Sequence, residues 1–185
     1  MFRCSKDEKK TSVIVEKLYK EYKNLMYKEA NNILKDTSLA EDAVQQSFIK
    51  IIKNIEKIDE KNEAKTRSFL VIICRNIALD IYKNRLYLNQ NSNSLDFEID
   101  EDDEGPVDYV EPSKIVIDKE TIEKVTECIR NLPPIYRDVL LLEKVHNNTK
   151  EEIAELLNIK YETARKRSLR ARKMIVDALE KEDIK

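Results

Sequence analysis

The chain has 185 residues, with 34 basic and 36 acidic side chains, one histidine and one glycine. A single glycine, Gly105, excludes the phosphate-cradling loops of dinucleotide and Walker-type sites, and the lone His146 removes most histidine-based metal and catalytic sites. No enzymatic chemistry, no cofactor and no metal is therefore expected.

Cys4, Cys74 and Cys128 are isolated, with no C-x-x-C pair, and read as reduced thiols of a cytoplasmic protein. The longest apolar run, Phe69 to Cys74, is far too short to cross a membrane. The opening "MFRCSKDEKK" lacks the apolar core of a signal peptide, so no membrane insertion is expected. Glycine poverty with abundant Lys, Glu, Leu and Ile favours helices. The net charge of −2 conceals three blocks: +5 over residues 1–85, −9 over 86–120 and +2 over 121–185. The expected fold is all-α, with two small helical domains, 1–85 and 113–185. An acidic flexible linker over 86–112 would join them, since crowded like charges with little to bury stay solvated.

In chain order, the first helix should run from about Ser12 to Leu34, with Ile14, Leu18, Tyr22, Leu25, Ala30 and Ile33 at helical spacing. Ser38, three residues before Glu41, suggests a capping box opening a second helix, with Val44, Phe48, Ile51, Ile52 and Ile55 on its apolar side. A third helix is expected near Thr66 to Arg85, apolar in its first half and basic and polar in its second. After the acidic segment, "IDKETIEKVTECIRNL" sets Ile122, Val125, Cys128, Ile129 and Leu132 in register. "PPIYRDVLLLEKV" then begins with prolines, which suit a helix's first turn. Thr149 and Glu152 form a further capping box. The short helix they open ends in a break around Asn158 to Lys160, where Asn tolerates the left-handed conformation.

The last helix carries "TARKRSLRARKMI", with six cations between Arg165 and Lys173. At about 100° per residue, Ala164, Ser168, Ala171 and Ile175 fall within roughly 40° on one side. Glu162, Lys166, Leu169, Arg170 and Lys173 lie opposite, flanked by Arg165, Arg167 and Arg172. Such a narrow, small-residue stripe does not make a membrane-surface helix, which needs a broad face of large apolar residues. A solvated face is the bland alternative. The preceding capped helix and turn make this the second helix of a helix-turn-helix, with Ala154 at the crossing and Ile153, Leu157 and Ile159 sealing it. A basic helix in that place suits the major groove.

Taken together, "AEDAVQQSFIKIIKNI", "FLVIICRNIALDIYKNR", "NLPPIYRDVLLL" and "EEIAELLNIKYETARKRSLRARKMI" resemble the extracytoplasmic-function sigma factors of bacterial RNA polymerase, over about four-fifths of the chain. The resemblance implies a promoter-specificity subunit. It implies that Ala40, Glu41, Asp42, Gln45 and Phe48 dock on the clamp coiled coil of the polymerase β′ subunit. Arg75, Asn76, Asp80, Lys83 and Arg85 would read and open the minus-ten promoter element, although Asp80 equally suits a salt bridge within its own domain. Arg165, Lys166, Leu169, Arg170 and Lys173 would meet promoter DNA at the minus-thirty-five element. The resemblance also implies an anti-sigma protein that masks these surfaces. A free-standing helix-turn-helix regulator and a helical adaptor without DNA are the competing readings. The chain departs from the family pattern at four positions: Phe69 stands for Trp, Asn158 for Gly, Ser168 for an aliphatic residue and Lys166 for a small one. Ser168 is expected to loosen its helix crossing.

Overall fold

The computed structural model describes residues 6–89 and 119–183, with side chains described over 11–86 and 122–180. The chain divides into two units at Leu95–Asp96. Cys4, Gly105 and residues 90–112 of the expected linker lie outside the described residues.

The first unit contains α1 (Lys6–Leu34), α2 (Thr37–Lys53), a 3-10 turn at Ile55–Lys57 and α3 (Glu63–Asn89), each α-helix packing on the other two. Leu18, Tyr22, Met26, Ala30 and Leu34 recur every four residues along α1 and are all buried. That spacing keeps one stripe of the helix facing its neighbours. Met26, Ile51, Phe69, Leu70 and Ile73 are the largest apolar side chains fully withdrawn from solvent, each contributing roughly 1.5–3 kcal/mol by burial. Phe69 thus fills the core where the family pattern has a Trp. Ala30, Ala40, Ala43 and Ala78 have no exposed surface, which lets the helix axes approach. Cys74 lies among them and donates to the Met26 carbonyl at 3.4 Å. Burial pushes its thiol up to about 11, against a weaker lowering by Ser47, so it is an inert core residue.

Three helix starts differ from expectation, the first being α1, which begins at Lys6 and not near Ser12. Asp36, not Ser38, caps α2: it is extended (φ −146°, ψ 121°) and its Oδ1 accepts from the Leu39 N–H at 3.1 Å. The Ser38–Glu41 box is therefore absent, and both residues sit exposed in the first turns of α2. α3 begins at Glu63, because Asn62 Oδ1 accepts from the Lys65 N–H at 3.0 Å. It also runs to Asn89, past the boundary expected at Arg85. Ile52, assigned to the apolar side of α2, is instead exposed.

The second unit contains α4 (Lys119–Asn131), α5 (Pro134–Lys144), α6 (Lys150–Leu157) and α7 (Tyr161–Asp183). α7 packs against the other three. Leu132, Leu140 and Ala171 form one buried cluster, joined by Ile129, Tyr136, Met174 and Ile175. Ile122 stands out of the α4 register into solvent. Pro133 caps α5 and Pro134 occupies its first turn, as expected. Among the described residues three non-glycine positions have positive φ: Lys35 (52°), Asn147 (54°) and Asn158 (53°). Two are Asn, the side chain that best tolerates αL.

Candidate nucleic-acid interface

α6 and α7 make the helix-turn-helix. Thr149 and Glu152 cap α6 reciprocally: the Thr149 hydroxyl accepts from the Glu152 N–H at 3.2 Å, and the Glu152 carboxylate accepts from the Thr149 N–H at 2.9 Å. Asn158 ends α6 in the left-handed conformation (φ 53°, ψ 47°), with its N–H turned back to Ala154 and Glu155 carbonyls. That single reversal lets α7 start three residues later. Ile153 and Leu157 are buried in the crossing and Ile159 is half-buried.

The packing stripe of α7 is confirmed at Ala164, Ser168 and Ala171, all buried. Ser168, however, does not loosen the crossing. Its hydroxyl donates to Glu143 on α5 and accepts from Lys150 Nζ on α6 at 2.9 Å. Lys150 and Arg172 also pair with the Glu143 carboxylate, so four side chains from three helices close one polar cluster. Burial raises the Glu143 carboxyl, but hydrogen bonds from Lys150 and Ser168 and the charges of Lys150 and Arg172 outweigh that and hold it at about 2. Arg172, placed by helical geometry on the flank, is thereby tied to Glu143 of α5 while staying half-buried. The cluster was legible in the sequence only as separate polar residues, because the contacts that join α7 to the other two helices link positions 18 to 29 apart.

The outward side of α7 carries the predicted DNA-binding residues. Lys166, Lys173 and Arg165 are exposed, and Leu169 is half-buried. Arg170 is also half-buried, with its guanidinium 6.0 Å from the Tyr136 ring centroid, at the limit of cation–π reach. Sequence reasoning did not single out Tyr136 or Tyr161, the exposed first residue of α7. A helix-start position was the available signal for Tyr161.

In the first unit the predicted minus-ten residues all lie on α3, but several are engaged within the unit. Arg75 pairs with Glu29 of α1 at 2.8 Å, and Asn76 donates to the Ile72 carbonyl at 2.9 Å. Asp80 and Lys83 are half-buried. Arg85 is exposed and reaches Asp36 Oδ2 at 3.3 Å, so the α2 cap is tied to the end of α3. Of the predicted polymerase-binding residues, Glu41, Asp42 and Gln45 form an exposed strip on α2. Ala40 and Phe48 do not belong to it. Ala40 is fully buried, and Phe48 packs edge-on against Tyr19 with ring centroids 5.1 Å apart. Both have apolar side chains that the three-helix core takes first. The strip continues instead through Ile49 and Ile52, 57% and 44% exposed. Such apolar residues on a helix exterior are the surface a partner helix would cover.

Among the described residues no cluster suited to a metal ion occurs, and no helix is long and apolar enough to cross a membrane.

The arrangement is that of a promoter-binding protein with a three-helix unit followed by a helix-turn-helix unit, and comparison with known proteins agrees. The sigma-70 region 2 family matches residues 18–86, and the sigma-70 region 4 family matches residues 122–175, together about two thirds of the chain. ECF RNA polymerase sigma factor SigW of Bacillus subtilis is 29% identical over 161 residues, 83% of this chain and 82% of that protein. ECF RNA polymerase sigma factor SigE of Mycolicibacterium smegmatis is 24% identical over 166 residues, 90% of this chain and 62% of that longer protein. The sigma factor RpoE, solved in complex with the anti-sigma factor NepR from Bartonella quintana, aligns with a TM-score of 0.38 at 17% identity, over 95% of this chain and 98% of that one. The chain belongs to the extracytoplasmic-function group of sigma-70 factors, the promoter-specificity subunits of RNA polymerase.

Proposed function

We propose that the protein directs RNA polymerase to a dedicated set of promoters through one surface on each unit. Glu41, Asp42 and Gln45, extended by Ile49 and Ile52, dock on the β′ clamp. Arg75, Asn76, Asp80, Lys83 and Arg85 meet the minus-ten element. Arg165, Lys166, Leu169, Arg170 and Lys173 enter the major groove at the minus-thirty-five element, where Arg and Lys pair with guanine edges and phosphates. The observation that carries this reading is the left-handed Asn158, which starts α7 with Arg165, Lys166 and Lys173 exposed and Ala164, Ser168 and Ala171 buried. The chain supplies no catalytic group; it positions the enzyme that does. It works in the cytoplasm, where an anti-sigma protein holds the two surfaces covered until a signal releases them. The domains are those expected at 1–85 and 113–185, the first lengthened by α3 to Asn89, and the net-negative segment that joins them avoids DNA.

The test is co-purification of the chain with core polymerase, followed by transcription from a promoter selected by that complex. Assembly and promoter-dependent initiation support the reading. Specific operator binding by the free chain, with no association with polymerase, would instead establish a free-standing regulator.

A further inference from the structure

The outward side of α7 carries one carboxylate in its first turn amid its cations. Glu162 is 61% exposed, and its Oε2 accepts from Nε of Arg165, itself 48% exposed, at 2.9 Å. An exposed pair of this kind adds little to stability. The contact matters for direction. It engages Nε, so the arginine fork presents its two terminal nitrogens, the pair that meets O6 and N7 of guanine.

A carboxylate carried into the major groove faces phosphates and the acceptor atoms of purines, which repel it. Only an amino group can satisfy it there. Adenine offers N6–H beside the acceptor N7, whereas cytosine offers N4–H with no acceptor next to it on that edge. Oε2 accepts from Arg165, and the carboxylate keeps acceptor capacity on Oε1 for such a donor.

We propose that Glu162 is a specificity-determining residue of the recognition helix: it fixes Arg165 on a guanine and accepts from N4 of a cytosine within one base pair of it. This rests on the reading of α7 as the promoter-recognition helix. Glu162 acts twice, as a positioning residue for Arg165 and as a direct base contact. The upstream element selected by this protein then carries G and C side by side, or as one G·C pair.

The experiment uses holoenzyme assembled from the full chain and core polymerase, and a double-stranded DNA library randomised across the upstream element. Wild type, Arg165→Ala, Glu162→Gln and Glu162→Ala are compared by sequencing the bound fraction. Arg165→Ala should lose the guanine preference at one position. Glu162→Ala should lose the neighbouring cytosine preference by about tenfold, the scale of one discriminating contact, and weaken the guanine preference beside it. Glu162→Gln should move that position from cytosine towards adenine, because a glutamine amide pairs with N6 and N7 together. A merely structural first-turn carboxylate cannot produce that switch. If both Glu162 variants keep the wild-type base profile while Arg165→Ala loses its guanine, the inference falls and the recognition helix stands. If Arg165→Ala also leaves the profile unchanged, Arg165 contacts no base and the inference falls; the assignment of α7 to DNA fails only if Lys166→Ala and Arg170→Ala leave binding unchanged as well.

Discussion

Replacing Glu143 by Gln keeps the shape of the side chain and removes its charge from the junction of α5, α6 and α7. The carboxylate is 15% exposed, while its partners Lys150 and Arg172 are 22% and 38% exposed. Unpairing a fully buried charge costs about 3–5 kcal/mol. Here both cations keep access to water, so about 2–3 kcal/mol is expected. The titration of the carboxyl gives a similar figure: it falls from an ordinary 4.5 to about 2, worth about 3 kcal/mol at about 1.4 kcal/mol per pH unit. The sign follows from linkage. A carboxyl depressed in the folded state stabilises fully above its unfolded value of 4.5, and the contribution drains away as pH falls towards 2. Glu143→Gln should therefore be less stable than wild type by about 2–3 kcal/mol at neutral pH and nearly equal to it near pH 2. In thermal unfolding the neutral-pH loss amounts to on the order of 10 °C for a unit of this size. The chain has no tryptophan, so peptide-resolved hydrogen exchange across α5–α7 is the suitable readout of this unit alone. A neutral-pH loss below about 0.5 kcal/mol, the range of ordinary surface changes, would refute the cluster as a source of stability. So would a difference between the two proteins that is the same at neutral pH and near pH 2.

Phe48→Ala should destabilise the first unit by about 3–5 kcal/mol, whereas Gln45→Ala should leave its melting unchanged and weaken only association with core polymerase; equal melting shifts would contradict this division. Lys166→Ala and Arg170→Ala should reduce promoter affinity, with Arg170→Ala relaxing preference at one base by roughly 1–3 kcal/mol. Arg170→Ala should also lose up to about 1 kcal/mol of stability through its contact with Tyr136, and unchanged binding by both variants would reverse the facing of α7. Asn158→Val should cost about 1–2 kcal/mol while Asn158→Gly is tolerated, because a β-branched residue resists φ 53°; urea unfolding that ranks the two variants equally would exclude strain at the turn.

The features legible in the sequence are those closed within a few residues. The Thr149–Glu152 box, the left-handed Asn158 and the alternation of small and basic residues along α7 depend on i, i+3 and i+4 geometry, and all are present. The same reasoning proposed Ser38 as a cap, and there it met a competitor. Asp36 offers one oxygen to the helix start and the other to Arg85, 49 residues away, a partner local spacing does not disclose. Ile52 follows a helical apolar pattern yet is exposed, since only the angle at which α1 and α3 meet α2 decides which flank of the stripe is covered. Ser168 shows the difference most directly. Its small polar side chain in an apolar stripe resembles a packing fault in one dimension. In three dimensions Glu143 and Lys150 converge on it from two other helices and satisfy its hydroxyl. Periodicity and capping set the helices and the direction in which α7 presents its charge. Which polar groups enter the interior was settled only by tertiary structure, because a buried hydrogen bond needs partners that the chain brings together by folding.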